Sequence, residues 1–490
     1  MKFTANSTFM ARGICRFNTN ALNHCRHWLL LVLLVIASGA KADEQMLPVL
    51  GDGSSSILAT HEEEALGKLI LQQIRSVVSL ENDPLIKYFV RKYCYLVAEH
   101  SDLSIVKLRP IVIKSDKFNA FAAPGGVIGI NLGLFTMARD IHEFASVIAH
   151  ELAHLSQRHY ARRLEKQKLA NFRSIVGYLA SVAIIAAGAT DPGLAAMLGT
   201  NALADAASLG FSRAQEREAD RVGLNTLSRA GFDPHGAARM FEQMQQSARF
   251  RREIPEYVST HPITQNRISD MRAEAAKKPR GIYPDSIDYQ FIRQRVESRF
   301  IANAKEAAND AEAQNKPYLQ AIALSMSGQH ELAVEAMQSI YERLPDSVIL
   351  IGSYAEVLVE AGRHTKAIEL LESKLQLYPN NQPLSIFLAY ALMRADRHED
   401  AVSLLWAVAK RSPDDQDVWY QLAETAGLAK NVVDVHRARA EFFVLRGNYK
   451  GAITQLRLAR EQVSDEKRLA QSLDQRLQDV RSEAERAEES

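Results

Sequence analysis

The sequence predicts a mainly α (α+β) chain in two parts, helices around a small β-sheet followed by an all-α solenoid of repeats. Three observations predict it. Apolar residues recur at helical spacing over 59–100 and again from 141 to about 166. Two short runs, 106–113 and 126–131, are rich in branched residues and flank the turn Pro124-Gly125, so they read as strands. Pro345, Pro379 and Pro413 return at one constant interval, and Ala333, Ala367 and Ala401 return at the same interval, which is the length of a helix-turn-helix unit.

Composition narrows the function. With 47% hydrophobic and 24% charged residues among 490, the chain can bury a large core. Lys and Arg number 59 against 58 Asp and Glu, so the net charge of +1 carries no global footprint for nucleic acid. Cys15, Cys25 and Cys94 are too few for a disulfide framework or a cysteine-rich zinc site. A metal would have to use histidines and carboxylates.

The N-terminus reads as an address. Arg12, Arg16 and Arg26 precede an apolar run from Trp28 to Ala37, and Ala40-Lys41-Ala42 fits a cleavage site before Asp43. A cleavable secretory signal over 1–42 is expected, with an uncleaved anchor as the alternative and Met10 as a second candidate start. Cleavage would leave Cys94 alone in an apolar context, as a buried small hydrophobe.

After it, 43–275 reads as one domain, 276–315 as a helical linker, 316–463 as repeats and 464–490 as a charged tail, solvated helix or disorder. Within the first domain, 175–189 is almost wholly apolar and short for a bilayer span. It reads as a buried or groove-covering hairpin, or as a segment touching membrane or an apolar partner. In the repeats, Gly328, Gly362 and Asp396 share the period of the prolines and mark the turn between two helices. The period then slips, since Gly447 and Ala452 come late, and an extra helix is expected near 432–445. This stretch resembles tetratricopeptide repeats, which implies a groove for peptides or partner proteins.

The chemistry sits on the helix from Ile141. His150-Glu151-Leu152-Ala153-His154 is an H-E-x-x-H pattern: residues four apart on a helix lie about 40° apart in azimuth, so both imidazoles reach one metal. One zinc ion suits that donor set, and Glu151 on the adjoining face is the candidate base for an attacking water. A later helix offers Glu216-Arg217-Glu218-Ala219-Asp220. Glu216 and Asp220 share a face there, suggesting Glu216 as third ligand and Asp220 as the carboxylate that orients a histidine. Glu218 points elsewhere and reads as a surface charge, while His142 and His159 read as solvated or packing histidines.

Those motifs, with Asn119-Ala120-Phe121-Ala122, Pro124-Gly125-Gly126, Thr260-His261-Pro262 and Arg267, resemble the gluzincin peptidases of family M48 over 119–267. The resemblance implies that His150, His154 and Glu216 hold zinc and that Glu151 is the base. It also implies that His261 can take the fourth zinc position in a latent state; from sequence, donating to the oxyanion or packing stay open. Arg267 could support the substrate carbonyl, pair with a carboxylate or form a surface salt bridge. Strand 127–131 would offer an edge to an extended substrate.

The signal ahead and the repeats behind are similar to the periplasmic members of that family. They imply unfolded or misassembled outer-membrane β-barrel proteins as substrates, with the barrel-assembly complex and the lipopolysaccharide-transport barrel as partners. The alternatives are a chaperone or scaffold acting through the repeats, and a purely structural metal site.

Overall fold

The computed structural model describes residues 60–103, 107–160, 162, 184, 211–250, 256–279, 281–463 and 466–489. The expected signal at 1–42 and, Ile184 apart, the apolar stretch at 175–189 lie outside them. No described helix is long and apolar enough to cross a membrane.

Helix α1 (Thr60–Val77) buries Leu66, Ile70, Leu71 and Ile74, spaced as one face of a helix. Helix α2 (Pro84–Glu99) begins where the Asp83 carboxylate accepts the Leu85 and Ile86 N–H groups and Pro84 presets the first turn. It buries Leu85, Phe89, Val90, Cys94 and Val97, and burial pushes the Cys94 thiol up to about 12, which keeps it an inert packing group.

Strands β1 (Arg109–Ile113), β2 (Ala120–Ala123) and β3 (Val127–Asn131) form a sheet in the order β1-β3-β2, β3 parallel to β1 and antiparallel to β2. Both faces are covered: Ile128 and Ile130 join the core with α2, and Val127 joins the one with α1. This corrects the expected substrate edge. Strand 127–131 is the central strand, with main-chain partners on both sides. The edges belong to β1 and to β2, an alanine-rich strand of weak intrinsic β preference that pattern alone does not reveal. Gly129 lies under Phe121, where a Cβ would stand 2.2 Å from the ring.

After a short helix α3 (Gly133–Met137), helix α4 (Ile141–Ser156) starts at Asp140, whose side chain accepts the Glu143 N–H. It ends at Ser156, short of the expected Lys166, because Arg158 turns left-handed at φ 51°. Helices α5 (Arg213–Arg229), α6 (His235–Phe250), α7 (Glu256–Thr260) and α8 (Gln265–Ala276) complete the surround of the site. Helix α9 (Ile287–Ser298) falls in the expected linker, yet it is core: the Tyr289 ring lies 5.5 Å from Phe144, and its hydroxyl donates to Ala138 O at 2.9 Å.

Helix α10 (Ala304–Ala313) leads into paired helices: α11 (Pro317–Met326) with α12 (His330–Arg343), α13 (Val348–Glu360) with α14 (His364–Leu377), α15 (Gln382–Arg394) with α16 (His398–Arg411), and α17 (Gln416–Leu428) with α18 (Val432–Leu445). The turns inside the pairs place Gly328, Gly362, Asp396 and Lys430 at φ 79°, 72°, 60° and 58°, at equal intervals along the chain. The period therefore does not slip at 432–445. The fourth unit keeps its geometry while Lys430 stands for glycine and Val435 for alanine, which hides the signature. Gly447, half a period after Lys430 and at φ 72°, turns the chain into α19 (Tyr449–Glu461), and α20 (Lys467–Glu489) follows.

The repeats are joined to the first domain by packing and by ions. Arg295 of α9 is buried, with Nε donating to Asp83 at 2.7 Å and Nη1 to Glu356 of α13 at 2.8 Å. Gly352 of α13 passes so near Leu85 of α2 that a Cβ would come within 2.9 Å. On that side the groove expected to be open is filled by the chain's own α2 and α9. The charged tail is neither solvated nor irregular: α20 buries Ala470, Leu473 and Val480 against the last repeats, and Lys68 of α1 meets Glu483 at 2.6 Å.

Candidate metal centre

Helix α4 delivers two imidazoles from one face. His150 and His154, one turn apart, bring their Nε2 atoms within 3.0 Å. Helix α5 crosses α4 closely because Gly223 has no side chain; a Cβ there would stand 3.1 Å from Ala149 O and His150 Cα. The Ser212/Gln215 capping box starts α5 just before Glu216. Glu216 Oε2 then lies 3.6 Å from His150 Nε2, and its Oε1 3.6 Å from His154 Nε2. His261, directly after α7, brings Nδ1 to 2.9 Å from Glu216 Oε1 and 3.4 Å from His150 Nε2. All four side chains are buried, with their donor atoms within 4.8 Å of one another.

The donor set fits zinc. Ligand atoms about 2.0–2.1 Å from a tetrahedral ion lie about 3.3 Å apart, close to the separations in this cluster. Charge points the same way. Burial opposes a charged His150, but Asp220 and Glu216 outweigh it and push its pKa up to about 10, so the field at the cluster favours a cation. Glu216 is likewise held well below the usual carboxylate range: burial opposes this, and His261 and His150 outweigh burial. His154 is held well below its ordinary value, chiefly by burial.

Glu151 stands beside the cluster. It is fully buried, its Oε1 is 3.6 Å from His261 Nε2, and neither oxygen has a hydrogen bond among the described residues. Burial raises its pKa, which brings a carboxylate toward the working range of a general base.

Asp220 Oδ1 lies 3.1 Å from His150 Nδ1 and Arg267 grips Asp220 with two bonds of 2.7 Å. Arg267 also reaches Glu216 at 2.9 Å and Pro262 O at 2.7 Å, and it is buried. The surface salt bridge expected as one reading is thereby corrected: its guanidinium fixes the two carboxylates of α5 from inside.

Two other readings need correction. His159 is fully buried, its Nδ1 2.8 Å from His154 Nδ1, and Glu218 receives its Nε2 at 3.1 Å, so neither is an isolated surface group. His142 packs under Phe232, with its ring nitrogens at Tyr283 O and the Asp233 N–H. Sequence reasoning also missed the aromatic walls. Phe211 stacks on His154 at 3.9 Å, and Tyr257 stacks on His261 at 4.5 Å.

Residues 94–275 match the model of Peptidase family M48, and residues 358–424 match that of a tetratricopeptide repeat. The chain carries an M48 peptidase domain. It is 30% identical over 264 residues to the Beta-barrel assembly-enhancing protease of Escherichia coli (strain K12), covering 54% of each chain. It is 32% identical over 272 residues to the Putative beta-barrel assembly-enhancing protease of Vibrio cholerae, covering 55% of this chain and 56% of that one. The Mitochondrial metalloendopeptidase OMA1 of Schizosaccharomyces pombe is 33% identical over 168 residues, 34% of this chain and 47% of that one. The chain thus spans about half the length of the assembly-enhancing proteases that it matches. The M48 match contains every donor of the cluster, Glu151, and the Asp220–Arg267 pair behind His150.

Proposed function

We propose that the chain is a periplasmic zinc endopeptidase that cuts misassembled or stalled outer-membrane β-barrel proteins, with a chaperone-like role exercised through its repeats. The observation that carries this reading is a buried cluster of three imidazoles and one carboxylate with an unbonded carboxylate, Glu151, directly beside it. His150, His154 and Glu216 would hold the ion. Bound zinc supplies a Lewis acid and an acidified water.

The protein's own groups do the proton work. Glu151 takes a proton from water as the water oxygen bonds to the peptide carbonyl carbon. It returns that proton to the amine nitrogen as the C–N bond breaks, leaving an acid and an amine. Arg267 and Asp220 keep His150 aimed, and Phe211 and Tyr257 keep solvent off the histidines.

His261 is the resting latch in this reading. Its Nδ1 stands among the other donors, where it fills the fourth corner of a tetrahedron, and cleavage requires it to swing out. The barrel-assembly complex and the lipopolysaccharide-transport barrel are the proposed docking partners, reached through surfaces of the repeats that α2 and α9 leave free.

The test compares cleavage of an unfolded outer-membrane β-barrel protein by wild type, His261→Ala and Glu151→Gln. Glu151→Gln should keep its zinc and lose about 10²–10⁴-fold in rate. His261→Ala should cut faster than wild type. If wild type and His261→Ala both bind zinc and leave the substrate whole, the endopeptidase reading fails and the scaffold reading replaces it.

A further inference from the structure

The two histidines of α4 are held from behind in different ways. His150 rests on a carboxylate, Asp220, in direct contact. His154 rests on another imidazole: its Nδ1 is 2.8 Å from Nδ1 of His159, whose Nε2 is 3.1 Å from Glu218 Oε2, and Glu218 is paired in turn with Arg162 at 3.2 Å.

Two ring nitrogens at that distance need one proton between them, because two N–H groups would collide and two lone pairs would repel. The directions follow from the ends of the chain. Nε2 of His154 faces the cluster, 3.0 Å from His150 Nε2, so its lone pair belongs there and its proton belongs on Nδ1. His154 therefore donates to His159. His159 must accept at Nδ1, which leaves its own proton on Nε2, pointing at Glu218, an acceptor only.

We propose that His159 and Glu218 form a directional hydrogen-bond arm that locks His154 in the metal-binding tautomer and sets how tightly the chain holds its zinc. This rests on the metal-centre reading above. Neither residue touches the cluster or the substrate; both are positioning residues that act through His154.

The fold brings this arm together from two sides. On a continuous helix, a residue five places after His154 would lie about 140° round from it and face away. Helix α4 instead stops at Ser156, and Arg158 in the left-handed region turns the chain so that His159 comes back beside His154. Helix α5 meets it from the other side. Glu216 supplies a donor to the cluster, Asp220 backs His150, and Glu218 between them backs His159. One helix thus supplies a metal donor and the anchors of both histidines.

The test measures zinc affinity of the full-length protein by chelator competition, together with the visible spectrum of its cobalt form. Glu218 is the first probe, because its side chain is 30% exposed and its loss should not disturb folding. Glu218→Ala should weaken zinc binding about 10-fold and His159→Leu up to about 100-fold, and both should alter the cobalt bands. His159→Gln should restore most of the affinity, since its carbonyl can accept from His154 while its amide donates to Glu218; a packing role would gain nothing from that polarity. Arg162→Ala is the surface control and should bind zinc as wild type does. If Glu218→Ala and every folded His159 variant hold zinc within twofold of wild type, the arm is overturned while the metal centre stands. A wild-type protein that binds no zinc overturns both.

Discussion

The metal centre and the repeat array use the same element, the α-helix, under opposite rules. In the centre each side chain has one task and one partner: Asp220 backs His150, His159 backs His154, and Glu216 alone joins the cluster from α5. In the array the same interface recurs with every unit, and a unit survives the loss of its signature, as Lys430 in a glycine position shows. Uniqueness makes the centre sensitive to single atoms. Repetition makes the array tolerant, because each unit needs only an apolar face and a turn of the right hand.

The sharpest way to break that contrast is at the junction, where the array also depends on a unique contact. Arg295→Ala strands the buried Asp83 carboxylate and should cost about 3–5 kcal/mol in urea unfolding, far more than a change within a repeat turn. If the loss is below about 1 kcal/mol, apolar packing of α2 and α9 alone joins the two regions.

Gly129→Ala tests a smaller but equally unique fit. A Cβ 2.2 Å from the Phe121 ring forces the sheet to shift, and about 1–3 kcal/mol of stability should be lost by the same measurement.

A weaker effect is expected from acid. Lys87 of α2 meets Asp415 at 2.7 Å; burial opposes ionisation of Asp415, but Lys87 outweighs it and holds the carboxyl below the ordinary range. A carboxyl depressed by folding stabilises above its unfolded value, about 3.9, and the contribution fades as pH falls through the folded value. The difference in urea midpoint between wild type and Asp415→Asn should therefore be present at pH 7 and shrink at pH 3. An equal difference at both would remove the ion pair as its cause.

The smallest effect has the opposite sign. Lys430 holds a positive φ at the cost of Cβ strain, so Lys430→Gly should stabilise by about 0.5–1 kcal/mol. A destabilising result would mean that the lysine side chain is part of the fourth unit and that the array is less tolerant than its period implies.

Helical spacing was a good guide wherever both residues lie on one helix. His150 with His154 and Glu216 with Asp220 could each be paired by counting, and so could the helices of the first three repeats. Counting failed where the chain leaves regular structure or where the answer lies on another element. His159 is returned to His154 by a left-handed residue, Arg158, that no pattern marks. Strand β2 is made from alanines that favour no strand, and it takes the edge expected of β3. Helix α9 carries the Tyr289 and Arg295 that make it core, yet its neighbours in sequence resemble a linker.

The sequence by itself determined which residue types could hold a metal, which side chains share a helical face, and where the repeats turn, because all of these are local and follow from the 3.6-residue period. Only the tertiary structure decided that Arg267 is buried against two carboxylates, that His261 reaches the cluster from a separate helix, and that α2 and α9 occupy one side of the array. Those outcomes depend on how closely helices approach. That distance is set by absent side chains such as Gly223 and Gly352 and by buried charge pairs, which a linear pattern does not display.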